Sequence, residues 1–189
     1  DAGKGLEPQT LKLFKVCALR GIPVITVINK WDRPGLAALE LMDLIEKQIK
    51  LRPPPLTWPV GEAGDFRGVL DRRTGEFVKY TRTAGGATRA PELRMSADDV
   101  EAADADVWAA AVEEHELLSL DDADHDQERF LAGVTTPVMF ASALQNFGVA
   151  QLLDLLLDLA PAPGTIAGVD GTQRRTDDDF SAFIFKVQS

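Results

Sequence analysis

Seven residues, Ile22-Pro23-Val24-Ile25-Thr26-Val27-Ile28, run without a charge straight into the polar string Asn29-Lys30-Trp31-Asp32. A short run this apolar and β-branched predicts a parallel strand covered on both faces, and it commits the chain to an α/β architecture. Ligands of such sheets sit in the crevice at the carboxyl ends of the strands, so Asn29, Lys30 and Asp32 are expected to face a pocket. Their chemistry suits guanine. The base presents two adjacent donors, N1–H and the N2 amine, and an Asp32 carboxylate can accept both, whereas adenine would oppose it with a lone pair. A polar site left unpaired by the wrong base discriminates by roughly 10⁴ or more. Asn29 is expected to bridge the base edge to neighbouring loops, and the Lys30 stem to lie along a purine face.

Asn and Asp after a strand also serve as ordinary turn and cap residues, so the string needs a partner. A second apolar run, Pro137-Val138-Met139-Phe140-Ala141, delivers Ser142-Ala143-Leu144 into a loop ahead of an amphipathic helix expected at Val149–Leu159. Small side chains at Ser142 and Ala143 would let backbone N–H groups approach the guanine O6, and Leu144 would cover the base face opposite Lys30. Without Asn29 to Asp32, Ser-Ala-Leu would read as a plain loop.

Together these residues resemble the later half of the GTP-binding domain of translational GTPases of the elongation factor G type. Asp1-Ala2-Gly3-Lys4-Gly5-Leu6-Glu7-Pro8-Gln9-Thr10 resembles the stretch after that family's second switch, and Asn29 to Asp32 and Ser142 to Leu144 match its base-reading loops. Thr57-Trp58-Pro59-Val60-Gly61, Phe130-Leu131-Ala132-Gly133 and Asn146-Phe147-Gly148-Val149 look most like its peptide-chain release factor 3 branch, ahead of elongation factor G itself and the ribosomal-protection proteins. The resemblance implies a cytoplasmic parent that binds GTP or GDP with Mg²⁺, hydrolyses GTP, docks on the ribosome and recycles class I release factors.

No G-x-x-x-x-G-K-[ST] phosphate loop occurs in the sequence. The family's first switch and its Asp-x-Pro-Gly-His segment are not found either, so the implied Mg²⁺ ligands and catalytic His are expected upstream of Asp1. The expectation is therefore an internal piece of a longer protein that holds the base but not the phosphates, with no catalytic residue and no metal ligand of its own, inactive alone and without tight cofactor binding.

Net charge adds a further constraint. At −10 the chain is a poor match for an RNA phosphate backbone. Residues 98–128 contain 13 Asp or Glu and no Lys or Arg, with Val100, Ala103, Val107, Trp108, Ala111, Val112 and Leu118 at helical spacing. This predicts a helix with one apolar and one strongly anionic face. That face is either simply solvated or a dock for a basic protein; a pure binding module with no nucleotide role is the competing reading from another class. His115 and His125 lack metal-ligand spacing. The single Cys17 excludes an internal disulfide and is expected as a small buried hydrophobe.

The expected organisation is that later half of a P-loop, Rossmann-like GTPase domain with an α+β insertion. Pro8 and Thr10 open a helix with Leu11, Phe14, Cys17 and Ala18 on one side, closed by Gly21. Pro34 starts a second, with Leu39, Met42, Ile45 and Ile49 inward, ended by Pro53-Pro54-Pro55. A hairpin is expected from residues 66–70 and 77–81 around a turn at 71–75, followed by a loop and the acidic helix. The two base-reading loops stand 109 residues apart, a gap that resembles the extra subdomain of elongation factor G and its relatives. The divisions are 1–57 (base-reading part), 58–127 (insert), 128–163 (last strand and helix), 164–179 (linker) and 180–189 (first strand of a β-barrel domain).

Overall fold

Helix α1 (Pro8–Leu19) carries proline in its first turn, where the missing N–H costs nothing, and stops at Gly21, whose φ of 61° a side chain would resist. In the computed structural model, which describes residues 1–81, 92–100, 102–120, 123–182, 184, 186 and 187, the chain then enters β1 (Thr26–Ile28) and α2 (Ala38–Ile49). Helix α2 turns Ala38, Leu41, Met42, Ile45 and Ile49 inward, a 3.6-period stripe. Strand β6 (Val138–Phe140) pairs in parallel with β1, Thr26 opposite Val138 and Ile28 opposite Phe140. Helix α5 (Val149–Leu159) follows, with the bounds the periodicity predicts.

The proline run does more than end α2. Residues 52–56 lie along the other edge of β6: Thr136 N–H donates to Arg52 O at 2.9 Å, Val138 N–H to Pro54 O at 2.9 Å, and Leu56 N–H to Val138 O at 2.7 Å. Prolines have no N–H to donate, so they fit a sheet only at an edge where their carbonyls do the pairing.

The insert is a four-stranded antiparallel sheet ordered β2 (Thr57–Val60), β3 (Gly68–Asp71), β4 (Glu76–Tyr80), β5 (Glu92–Met95), crossed by helix α3 (Ala105–Leu120). The expected β3–β4 hairpin is present, its turn closed by Gly75 N–H on Asp71 O at 2.8 Å with Gly75 at φ 75°. The expected loop at 82–91 lies outside the described residues. A short helix, α4 (Gln127–Leu131), capped by the Asp126 carboxylate on Arg129 N–H, returns the chain to β6.

Insert and parallel sheet share one core. Alternate residues of β6 face opposite sides. Val138 and Phe140 join Ile28, Trp31 and the insert's Trp58, Phe77 and Trp108 in one cluster, while Met139 joins Leu56, Phe130, Leu155 and Leu159 in another. Phe140 packs edge-to-face with Trp31 and Trp58 at centroid distances of 4.8 and 5.5 Å.

Several expectations are corrected. The run at 22–28 is only partly covered, because β1 has β6 on one side and no strand among the described residues on the other. Helix α1 has no fully buried residue; Leu11 and Phe14 pack on the core, Cys17 is half-buried and Ala18 is exposed. Leu39 points out and Leu41 in, since α2 begins four residues after Pro34. The acidic helix is shorter than residues 98–128. It buries only Trp108 and Ala111, and not all of its acid faces water. Asp104 pairs with Arg67 (3.2 Å) and Lys79 (2.8 Å), and Glu114 accepts from Trp58 Nε1 at 2.7 Å.

The chain divides into two compact units, residues 1–159 and 160–189. In the second, Ile166–Ala167 (β7) and Gln173–Arg174 (β8) form a small antiparallel hairpin inside the expected linker. No described residue from 180 to 187 is in a strand. No helix of the described residues is long and apolar enough to cross a membrane.

Candidate functional site

The ends of β1 and β6 bring the two polar strings together. Ala141 N–H donates to Ile28 O at 2.9 Å and Trp31 N–H to Ala141 O at 3.2 Å, which extends the parallel pairing into the loops. Two side-chain bonds then tie the loops across 110 and 114 positions of sequence. Ser142 Oγ donates to Asp32 Oδ1 at 2.5 Å, and Ala143 N–H donates to Asn29 Oδ1 at 3.0 Å.

Asn29 Oδ1 also accepts from Lys30 N–H at 2.8 Å. Two N–H donors on one amide atom identify that atom as the oxygen, which leaves Nδ2 as the donor end for a ligand acceptor. Asp32 spends one lone pair on Ser142, and Oδ2 has no hydrogen-bond partner among the described residues. Ser142 is fully buried, so its hydroxyl serves to orient the carboxylate rather than to meet bulk water. The site thus offers a prepositioned double acceptor beside an amide donor.

Lys30 adopts φ 68°, a left-handed conformation that lets the chain reverse between Asn29 and Trp31, and its ammonium pairs with Asp1 at 2.6 Å. Leu144, 63% exposed, follows in a 3₁₀ turn at Ala143–Gln145. Of the six sequence-derived residues, Asn29, Asp32, Ser142 and Ala143 form one bonded constellation. Lys30 bonds away from it toward Asp1, and Leu144 stands at the surface. The Ser142 and Ala143 N–H groups expected near a base oxygen donate to Phe147 O and Asn29 Oδ1.

The supports of the site are less legible in the sequence. Ala2, fully buried, donates to Asn29 O at 2.9 Å and accepts from Leu36 N–H at 3.0 Å. A Cβ on Gly35 would sit 2.5 Å from Ala2 O, so only glycine permits that approach. Trp31, between Asn29 and Asp32, donates from Nε1 to Gly61 O at 3.1 Å and so joins the loop to the insert. Ser142 exchanges both backbone bonds with Phe147 at 3.0 Å, a tight reversal through Asn146 (φ 58°) and Gly148 (φ 74°). Asn and Gly are the residues that tolerate such angles, so Asn-Phe-Gly was the available signal.

The model of the elongation factor Tu GTP binding domain matches residues 1–162. Proteins described as peptide chain release factor 3 are 44% identical in Gloeobacter violaceus and 42% identical in Cyanothece sp., each over the whole chain and 36% and 35% of the relative. This chain therefore spans about a third of the length of the curated relatives it matches. A crystal structure from Thermus thermophilus superposes on 85% of this chain and 26% of that one, with a TM-score of 0.62 at 20% identity, a likeness of fold.

Proposed function

Since the chain belongs to the elongation factor Tu GTP-binding domain family, we propose that it forms the guanine-reading part of a GTP/GDP site in a release factor 3-type translational GTPase. The observation that supports this best is the pair of bonds, Asp32–Ser142 and Asn29–Ala143, that locks the two loops into one acceptor-and-donor edge. Asp32 accepts from guanine N1–H and N2. Asn29 Nδ2 donates to the base's acceptors. Ser142 orients Asp32, Ala143 holds Asn29, and Lys30 and Leu144 cover the two faces of the base. When bound, the nucleotide's phosphates and Mg²⁺ supply the hydrolytic chemistry; the residues of this site meet only the base.

On this reading residues 1–57 and 128–163 belong to the nucleotide domain, 58–127 to its insert, 164–179 to a linker and 180–189 to the start of a β-barrel domain. The parent is a cytoplasmic GTPase that works on the ribosome and recycles class I release factors, and relatives at 40–44% identity favour this over elongation factor G. Its acidic insert faces a basic protein.

The test replaces the corresponding segment of the Gloeobacter violaceus relative with this chain and measures displacement of a labelled guanosine diphosphate. Asp32→Asn turns an acceptor into a donor and should cost about 1–3 kcal/mol, roughly 5- to 150-fold in affinity, with xanthosine diphosphate recovering it. A variant that shows no gain for xanthosine removes Asp32 from the base site. The 189-residue chain by itself should bind GTP no more tightly than guanosine, by calorimetry.

A further inference from the structure

A tyrosine of the insert grips the second base-reading loop from below. Tyr80, buried at the end of β4, stacks on Phe147 with ring centroids 4.9 Å apart and 17° between the planes. Phe66, also from the insert, packs edge-to-face with both rings at 5.5 and 6.0 Å. The Tyr80 hydroxyl donates to Gln151 Oε1 in the first turn of α5. Gln151 Nε2 is buried without a hydrogen-bond partner among the described residues, so the phenol is the anchor of that amide. Burial above all pushes the Tyr80 phenol above the ordinary tyrosine range, and it remains a neutral donor near neutral pH.

Phe147 is the residue on which the loop closes. It exchanges both backbone bonds with Ser142 at 3.0 Å, and the Ser142 hydroxyl orients the Asp32 carboxylate. One side chain of the insert thus holds the loop twice, by its ring at Phe147 and by its hydroxyl at the start of α5. Interiors are close-packed, so a displaced ring moves what it touches. A carboxylate that must meet two donors of a base tolerates an error of only about 0.5 Å. We infer that Tyr80 is a positioning residue for guanine selectivity, acting through Phe147 and Ser142 on Asp32. Base choice then depends on a side chain of the insert as well as on the nucleotide domain. This rests on the reading of Asp32 as the guanine acceptor, and it adds what holds that acceptor in register.

The test uses the Gloeobacter violaceus relative carrying this chain in place of its own segment. A labelled guanosine diphosphate is displaced by guanosine diphosphate or by inosine diphosphate, which lacks only the N2 amine. Both values come from one preparation, so inactive protein cancels in their ratio. The unaltered hybrid should prefer guanosine by roughly tenfold or more. Tyr80→Leu, which removes stack and tether, should cut that preference about fivefold, and Phe147→Leu, which breaks the stack from the other side, should act alike. Tyr80→Phe keeps the stack and should cut it about twofold. A merely structural role would weaken both nucleotides equally and leave the ratio unchanged. In a Ser142→Ala background Tyr80→Leu should move the ratio by less than about twofold, because the route is already cut. A ratio unmoved by the Tyr80 and Phe147 variants, while Asp32→Asn still gains xanthosine diphosphate, overturns the inference and leaves the guanine reading standing. The full fivefold fall in the Ser142→Ala background overturns the route through Ser142. Asp32→Asn without a gain for xanthosine overturns the inference and the guanine reading together.

Discussion

Removing the Arg72 guanidinium should cost the chain about 3 kcal/mol of stability. Arg72 sits in the β3–β4 turn with its side chain only 3% exposed. Its Nε donates to His115 Nδ1 at 2.9 Å, its Nη1 to Pro55 O and Ala123 O at 3.0 Å each, and its Nη2 to Ser119 Oγ at 3.1 Å and Asp124 Oδ1 at 3.0 Å. One side chain therefore pins the proline edge of the parallel sheet, helix α3 and the loop after it to the insert's hairpin. Arg72→Met keeps the stem but orphans two carbonyl oxygens of buried residues, at about 1–3 kcal/mol each. The exposed Asp124 loses little, and relief from desolvating the guanidinium offsets part of the cost. Burial does push Arg72 below the ordinary arginine range, against the pull of Asp124. With an m-value of about 2 kcal/mol/M in urea, the midpoint should fall by about 1.5 M, read from tryptophan emission. Arg72→Lys should recover less than half of the loss, because an ammonium cannot reach five acceptors in a fork. A midpoint for Arg72→Met within about 0.2 M of the parent would refute the claim that this guanidinium joins the layers.

The same hub predicts a pH dependence. Burial first, and then the Arg72 charge, push His115 below the ordinary histidine value, so as pH falls the unfolded chain takes up the proton first. That stability is full above about pH 6.5 and is lost as pH falls through the depressed value. His115→Asn, which keeps an acceptor for Arg72, should flatten urea midpoints between about pH 5 and 7; an unchanged slope would place the dependence elsewhere. Gly148→Ala puts a Cβ at φ 74° and 3.1 Å from Phe140 O. It should lower stability by about 1–3 kcal/mol, and a melt equal to the parent's would mean the turn is not strained by a side chain. The open edge of β1, with exposed Leu13, Val16 and Leu19 on α1 and Leu153, Leu156 and Leu157 on α5, should make the chain self-associate. Light scattering checks this, and a monomer with a sharp melt would show that these faces are covered.

What could be read from the sequence was local. A β-branched run that ends on Asn-Lys-Trp-Asp, a second that ends on Ser-Ala-Leu, and a 3.6-period stripe are patterns of neighbours, because strand and helix periods are properties of the backbone. They were enough to single out Asn29, Asp32, Ser142 and Ala143 as candidates, and to place β1, β6, the hairpin and α5. The bonds that bring those residues together span 110 and 114 positions, and chain proximity carries no trace of them. Only the fold decided that Ala143 N–H would meet Asn29, or that Ala2 would support it. Only the fold turned three prolines from a helix stop into a sheet edge, since β6 happened to need acceptors there. The acidic stretch shows the limit most clearly. Its charge was visible, yet Asp104, Glu114 and Asp124 find partners in Arg67, Lys79, Trp58 and Arg72. Whether a carboxylate faces water or an internal donor depends on what the tertiary packing brings within about 3 Å.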